Sequence, residues 1–304
     1  MKVQAELYQG DCIEIMQSIP DESVDMILCD LPYGTTKNVW DTLIPFDALW
    51  MAYGRIIKPH GAIILFSQQP FTAELIMSNK KMFRYEWIWQ KANATGFLNA
   101  KKMPLKCHEN ILVFYKKLPV YNPQMRTGFK PYRIKSGKQS KNYGEQTTVE
   151  TVSNGERYPI DIIQFAGVNM MDGAKTEHPT QKPVGLLEYL IRTYSAGGDT
   201  ILDNCMGSGS TGVAALATQR NFIGVEQDPE FFEIAERANY IGTIVDTIKE
   251  STQKYHAVQV EQNRKVVNAG YGIELSDSRE SIKRRCLLAR EELLKILKEL
   301  EEVY

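Results

Sequence analysis

The stretch from Thr200 to Glu226 limits the fold more than any other part of this 304-residue chain. Thr200-Ile-Leu202 is a short β-prone run ending in an acid, Asp203. Asn204, Cys205 and Met206 lead into Gly207, Ser208, Gly209 and Ser210, a turn whose small or missing side chains let backbone approach a ligand. Val213 to Ala217 resumes with helix-forming residues. A second strand, Asn221 to Val225, ends in Glu226, followed by Gln227. Glu226 follows Gly209 at close to the ~20-residue spacing of a ribose-binding carboxylate in a βαβ unit. The order strand, glycine turn, helix, strand, acid reads as a nucleoside cradle, with Glu226 gripping the sugar hydroxyls. Such a unit calls for a parallel sheet covered by helices. It sits two thirds of the way along the chain, so something large must precede it.

That earlier part carries its own strand-ending signal. After Tyr8-Gln-Gly-Asp11 and a helical stretch from Cys12 to Ile19, Val24 to Cys29 has the apolar, β-branched content of a buried strand. It runs into Asp30-Leu-Pro-Tyr-Gly34. Pro32 fixes the local backbone and biases Leu31 towards an extended conformation, which aims the Leu31 carbonyl in one direction. The tetrapeptide presents a carboxylate, an outward carbonyl and an aromatic face at the carboxyl end of a strand, where α/β sheets place their chemistry. On these residues alone, a capped strand-ending turn is an equal reading.

Bulk properties exclude more than they assign. A formal net charge of −1 points to no particular class of partner. Five cysteines, Cys12, Cys29, Cys107, Cys205 and Cys286, show no C-x-x-C pair, so neither a metal site nor a disulfide framework is expected. The first residues lack a signal-peptide core and no apolar run approaches the ~18 residues of a membrane span. The expectation is a cytoplasmic protein.

From Lys116 to Glu145 the chain carries Lys116, Lys117, Arg126, Lys130, Arg133, Lys135, Lys138 and Lys141 against one acid, Glu145, with Tyr121, Phe129, Tyr132 and Tyr143 interleaved. Basic residues mixed with aromatics suit a surface that tracks phosphates and offers stacking faces, although a solvated loop would have a similar composition. The polar stretch Gly34 to Asp41, with Trp40, reads either as a loop that closes over a pocket or as a plain connection. Near the end, Ile282, Cys286, Ala289, Leu293, Ile296, Leu300 and Val303 recur at alternating four and three spacing, an amphipathic helix with heptad character. It would pack on this protein's own surface or pair two copies.

Taken together these segments resemble one family. Asp30-Leu-Pro-Tyr33 is similar to the D-P-P-Y catalytic motif of amino-group DNA methyltransferases, and Asp203 to Gly209 to their D-P-F-x-G-S-G cofactor motif. Catalytic motif first and cofactor motif late resembles the β class. His178-Pro-Thr-Gln-Lys-Pro183, Gln9-Gly-Asp11, the stretch Arg55 to Phe66, and Tyr85 to Lys91 with His108-Glu109 to Tyr115 resemble further family segments in the right order.

The resemblance implies an α/β fold: a Rossmann-like seven-stranded sheet in circularly permuted motif order, with an inserted target-recognition segment and a helical C-terminal extension. The divisions expected are a catalytic half 1–115, a recognition insertion 116–177, a cofactor half 178–242 and a helical extension 243–304. It implies S-adenosylmethionine as cofactor, held by Asp11, Cys12, Asp30, Thr180, Lys182, Asp203, Asn204, Cys205, Gly207, Ser208, Gly209, Ser210, Glu226 and Gln227. Lys182 is the candidate partner of the methionine carboxylate. Catalysis falls to Asp30, Leu31, Pro32 and Tyr33, and double-stranded DNA to Lys117, Arg126, Lys130, Arg133, Lys135 and Lys138.

Two departures stand out. Leu31 replaces the family's proline but keeps the carbonyl that the chemistry uses. Asn204-Cys205 replaces Pro-Phe, and weaker cofactor binding is the expected result. Cys205 is no candidate nucleophile, because cytosine-carbon enzymes carry theirs in a Pro-Cys dipeptide, absent from this sequence. Asp30, rather than Ser, leans towards adenine N6 over cytosine N4. An RNA or protein amino methyltransferase, or a catalytically silent cofactor-binding DNA regulator, stay open at this point. So do a homodimer and a cognate restriction enzyme.

Overall fold

The computed structural model describes residues 3–34, 41–135, 150–165 and 181–239. In chain order the elements are β1 (Ala5–Gln9), α1 (Cys12–Met16), β2 (Val24–Cys29), α2 (Phe46–Ile56), β3 (Ile57–Ser67), α3 (Phe71–Ser78), β4 (Phe83–Thr95) and β5 (Lys106–Phe114). They continue with β6 (Tyr132–Lys135), β7 (Glu150–Ser153), β8 (Ile162–Phe165), α4 (Val184–Tyr194), β9 (Thr200–Asp203), α5 (Ser210–Ala217) and β10 (Asn221–Glu226). A further helical segment covers 229–239.

One sheet organises the fold, in the order β1-β10-β9-β2-β3-β5-β4-β8. The run from β1 to β3 is parallel throughout, and β5 is antiparallel to both β3 and β4. The sheet is buried on both sides, so its strands sort their residues by the two-residue period of a pleat. Met26 and Leu28 of β2 join Ala62, Ile64 and Phe66 of β3 against α4 and α5. Their neighbours Ile27 and Cys29, with Ile63 and Leu65, face α1, α2 and α3 through Met16, Tyr53 and Leu75.

The seven strands expected are there, and β8 adds an eighth, parallel to β4 with Ile88 opposite Ile162. β8 lies in the segment 116–177 that sequence reading sets apart as an insertion. Four residues are too few for a strand period to stand out, and tertiary partners hold it: Trp89 Nε1 donates to the Phe165 carbonyl at 3.1 Å. That segment also forms a separate two-stranded sheet, β6 with β7. The C-terminal helix expected from the heptad spacing and the loop 35–40 lie outside the described residues.

Two polar contacts tie distant parts of the sheet together. Asp25 of β2 receives Lys58 Nζ at 2.6 Å and the Thr200 amide of β9 at 3.0 Å. At the α4 face, the Tyr194 hydroxyl accepts from Trp87 Nε1 at 2.6 Å and lies 3.0 Å from the Tyr85 hydroxyl. Tyr194→Phe would leave the buried Trp87 N–H without its acceptor, so the expected loss is about 1–3 kcal/mol. Urea unfolding of the two proteins measures it, and an unchanged midpoint would contradict this account.

Candidate active site

Sheet order reverses direction between β9 and β2, and the crevice at such a switch point is where open α/β sheets bind ligands. β9 ends at Asp203 and β2 runs into Asp30, so two carboxylates meet at the carboxyl edge of adjacent parallel strands. The turns that follow β1 and end β10 bring Asp11 and Glu226 to the same edge. A cleft of about 1180 Å³ opens there, lined by Asp11, Cys12, Asp30 to Tyr33, Lys182, Asp203 to Ser208, Ser210, Glu226 and Gln227.

The turn after β9 is shaped for close approach. Gly207 and Gly209 have φ of 52° and 78°, which residues with side chains rarely adopt. A Cβ on Gly209 would lie 2.5 Å from Asn239 Nδ2 and 3.0 Å from Ala235, so helix 229–239 packs directly on the turn. Glu226 is held by backbone: Oε2 accepts from the Gly207 amide at 2.8 Å and Oε1 from the Asp228 amide at 2.9 Å. Burial pushes the Glu226 carboxyl up despite these bonds. Asp203 accepts from the Cys205 amide at 3.1 Å, and burial pushes it up to about 6. A cleft edged with carboxylates suits a ligand that offers hydroxyls and positive charge.

The turn after β2 is pinned from two sides. Asp41 Oδ1 accepts both the Tyr33 and the Gly34 amides at 2.8 Å. The Tyr33 ring stacks on Phe71 with centroids 5.1 Å apart, and its hydroxyl donates to Asp30 Oδ1 at 2.7 Å. Leu31 is buried among the α1–α3 residues.

Lys182 is paired within the site. Its ammonium donates to Asp30 Oδ2 and lies 3.5 Å from Glu109 Oε2, with Phe66 beneath it. Lys91 donates to the other oxygen of Glu109. Burial pulls Lys182 down, but Asp30 and Glu109 outweigh it and hold it above its ordinary value. Burial pushes Glu109 up, and the two lysines outweigh that and hold its carboxyl below the usual range. The segment before α4 crosses the carboxyl edge beside β2 and β5, which brings Lys182 to both acids.

A model of the DNA methylase family of N6/N4 amino-group methyltransferases matches residues 24–237. The chain belongs to that family. It is 28% identical over 258 residues to the Type II methyltransferase M2.MboI of Moraxella bovis, covering 76% of this chain and 86% of the relative. It is 27% identical over 244 residues to the DNA adenine methyltransferase YhdJ of Escherichia coli, covering 76% and 81%. Among solved structures, the cytosine-N4-specific PvuII DNA methyltransferase shares the fold with a TM-score of 0.57 at 16% identity, over 81% of this chain and 93% of that one. The M1.HpyAVI–SAM complex has a TM-score of 0.52 at 24% identity, over 77% and 99%.

The family's cofactor is S-adenosylmethionine, and the cleft fits it: glycine turn, strand-end acids and volume are all at one edge. The departures at Asn204-Cys205 have local explanations. Asn204 is buried and its Oδ1 accepts from the Tyr53 hydroxyl at 2.5 Å, replacing a packed proline by a hydrogen bond to α2. Cys205 borders the cleft with Cys12. Hydrogen bonds shared with Cys12 and Cys29, together with burial, push the Cys205 thiol up, which disfavours its thiolate.

The DNA-facing candidates divide. Lys117 and Lys130 are exposed. Arg126 lies 5.3 Å over the Phe129 ring and donates to the Tyr158 carbonyl, while Arg133 pairs with Glu150 at 3.2 Å. Lys135 ends β6. Lys138 and Thr180 lie outside the described residues, as does His178. Arg157 is a basic residue that sequence reading missed; it sits 4.3 Å over the Tyr132 ring.

The raised pKa of Asp203 has a measurable consequence. Its folded-state value of about 6 exceeds the ordinary 3.8, so the stability it confers is full below about pH 4 and is lost as pH rises through 6. Without ligand, the melting temperature of Asp203→Asn relative to wild type should therefore rise across that window. A constant difference would refute the assignment.

Proposed function

We propose that this protein is a site-specific DNA methyltransferase that acts on the exocyclic N6 of adenine in a base turned out of duplex DNA. The observation that carries the reading is the Asp30-Leu31 turn beside the cofactor cleft, with a carboxylate and a strand-end carbonyl at one edge. An exocyclic amino nitrogen is a poor nucleophile because its lone pair is delocalised into the ring. Accepting one N–H at Asp30 and the other at the Leu31 carbonyl favours a pyramidal nitrogen with its lone pair free to attack. S-adenosylmethionine supplies the electrophilic methyl group when bound. Positioning and electrostatics then account for the rate, without a covalent enzyme intermediate.

Each carboxylate oxygen accepts more than one hydrogen bond, so Asp30 can keep Lys182 and still receive the amino group. Tyr33 frames the base pocket, and Pro32 keeps the Leu31 carbonyl in place. Asp11, Asp203 and Glu226 hold the nucleoside side of the cofactor, with Glu226 already oriented by two amides. Lys117, Lys130 and the β6–β7 region supply contacts to DNA phosphates. The preference for adenine is supported by Asp at position 30 and by the adenine methyltransferase among the relatives. The cytosine-N4 structure shares only the fold, at 16% identity. The Type II relatives support a place in restriction and modification.

Asp30→Ala is expected to cut methyl transfer at least a thousandfold while DNA binding persists, because Glu109 remains to pair with Lys182. Labelled-methyl transfer to duplex DNA, RNA and protein measures the rate and the substrate class together. A near-normal rate in the variant would remove Asp30 from the chemistry. Modification-sensitive sequencing of DNA from cells expressing the protein identifies the base, and N4-methylcytosine there would overturn the adenine reading.

A further inference from the structure

The connection between β4 and β5 projects an apolar tip that the protein interior does not use. Thr95 pairs with Lys106 to close the hairpin, and the chain between them folds on itself through a single 3₁₀ turn, Phe97–Asn99. The Asn99 amide donates to the Gly96 carbonyl at 2.9 Å, and the Lys102 and Met103 amides donate to the Asn99 carbonyl at 2.8 and 3.0 Å. The tip is thus a preformed projection. At its end Leu98 is fully exposed, Phe97 is 72% exposed and Met103 52%.

Two observations identify what such a tip meets. The first is place. Lys91, Ala92, Asn93 and Thr95 of β4 line the active-site cleft, and Leu98, three residues beyond Thr95, lies within about 10 Å along the chain. The second is charge. Between Glu86 and Glu109 the sequence holds no acid, whereas Lys101 and Lys102 flank the apolar residues and are exposed. Neither lysine has an ion-pair partner among the described residues. Apolar side chains ringed by cations at the entrance to a base-binding cleft match the chemistry of a duplex, whose stacked interior is apolar and whose rim is phosphate.

We propose that Phe97 and Leu98 form a wedge that enters the base stack where the target base has turned out, with Lys101 and Lys102 on the flanking phosphates. The proposal rests on the base-extrusion reading above. A wedge fills the gap the extruded base leaves and so favours the open duplex over the closed one. It acts on the substrate before chemistry and makes no contact with the cofactor.

The test uses the full-length protein and a duplex of the sequence found by modification mapping, with a fluorescent base analogue at the target position. Wild type should raise the fluorescence several-fold. Leu98→Ala and Phe97→Ala should each reduce that rise and lower kcat/KM for intact duplex about tenfold, with cofactor affinity unchanged. Both losses should disappear on a duplex with an abasic site opposite the target, which has no base pair to break and so opens without a wedge. Full fluorescence and full rate in both variants on intact duplex would overturn the wedge while leaving base extrusion standing. A loss that persists on the abasic duplex would also overturn it. No rise with wild type would overturn base extrusion and the wedge together. If either variant sediments as a smaller species than wild type, the tip is a contact between copies and the proposal fails.

Discussion

The site depends on one topological constraint: parallel strands all end at the same edge of a sheet, and here their order turns back between β9 and β2. The strand-end acids of the cleft follow from it. Asp203 and Asp30 close adjacent strands, Asp11 caps α1 just after β1, and Glu226 closes β10. Only the sheet brings the acids of the first strands to those of the last. The edge therefore concentrates negative charge, and the fold has to compensate it locally.

Compensation takes the form of charges alternating in sign. Asp30, Lys182, Glu109 and Lys91 follow one another from the turn after β2 to the hairpin strand β4. Leaving one member of such a buried series unpaired costs about 3–5 kcal/mol, so its members hold one another in place more firmly than any single pair would. The chain of charges joins the turn that carries Asp30 to the hairpin whose tip stands beside the cleft. Orientation of the carboxylate and position of the hairpin are thereby linked through a network that local sequence does not announce.

What could be read from the residues was whatever a strand or helix encodes within itself. The buried run Val24–Cys29 and the pair of strands around the glycine turn coincide with β2, β9 and β10 to within a residue. The acids at strand ends were legible for the same reason. Contacts made across the fold were not. Asp41 binding the Tyr33 and Gly34 amides, Tyr53 answering Asn204, and Lys182 turning to Asp30 and Glu109 all join residues whose pairing no local pattern specifies. β8 escaped because four residues carry too little periodicity, and Arg157 because it lies apart from the basic run that drew attention to its surroundings.

The pairing of β2 with β9 also governs how the protein comes into being. Among the described strands β1 pairs with β10 alone, and β2 is open on one side until residues near Thr200 exist. During synthesis at roughly 5–20 residues per second, an apolar strand edge therefore waits many seconds for its partner. Contacts this far apart in sequence are slow to form and leave the nascent chain prone to aggregation. The anchor between Asp25 and the Thr200 amide can close only at the end of that wait. The order of motifs that gives this enzyme its site thus keeps an apolar strand edge of the growing chain unpaired until its last third is made.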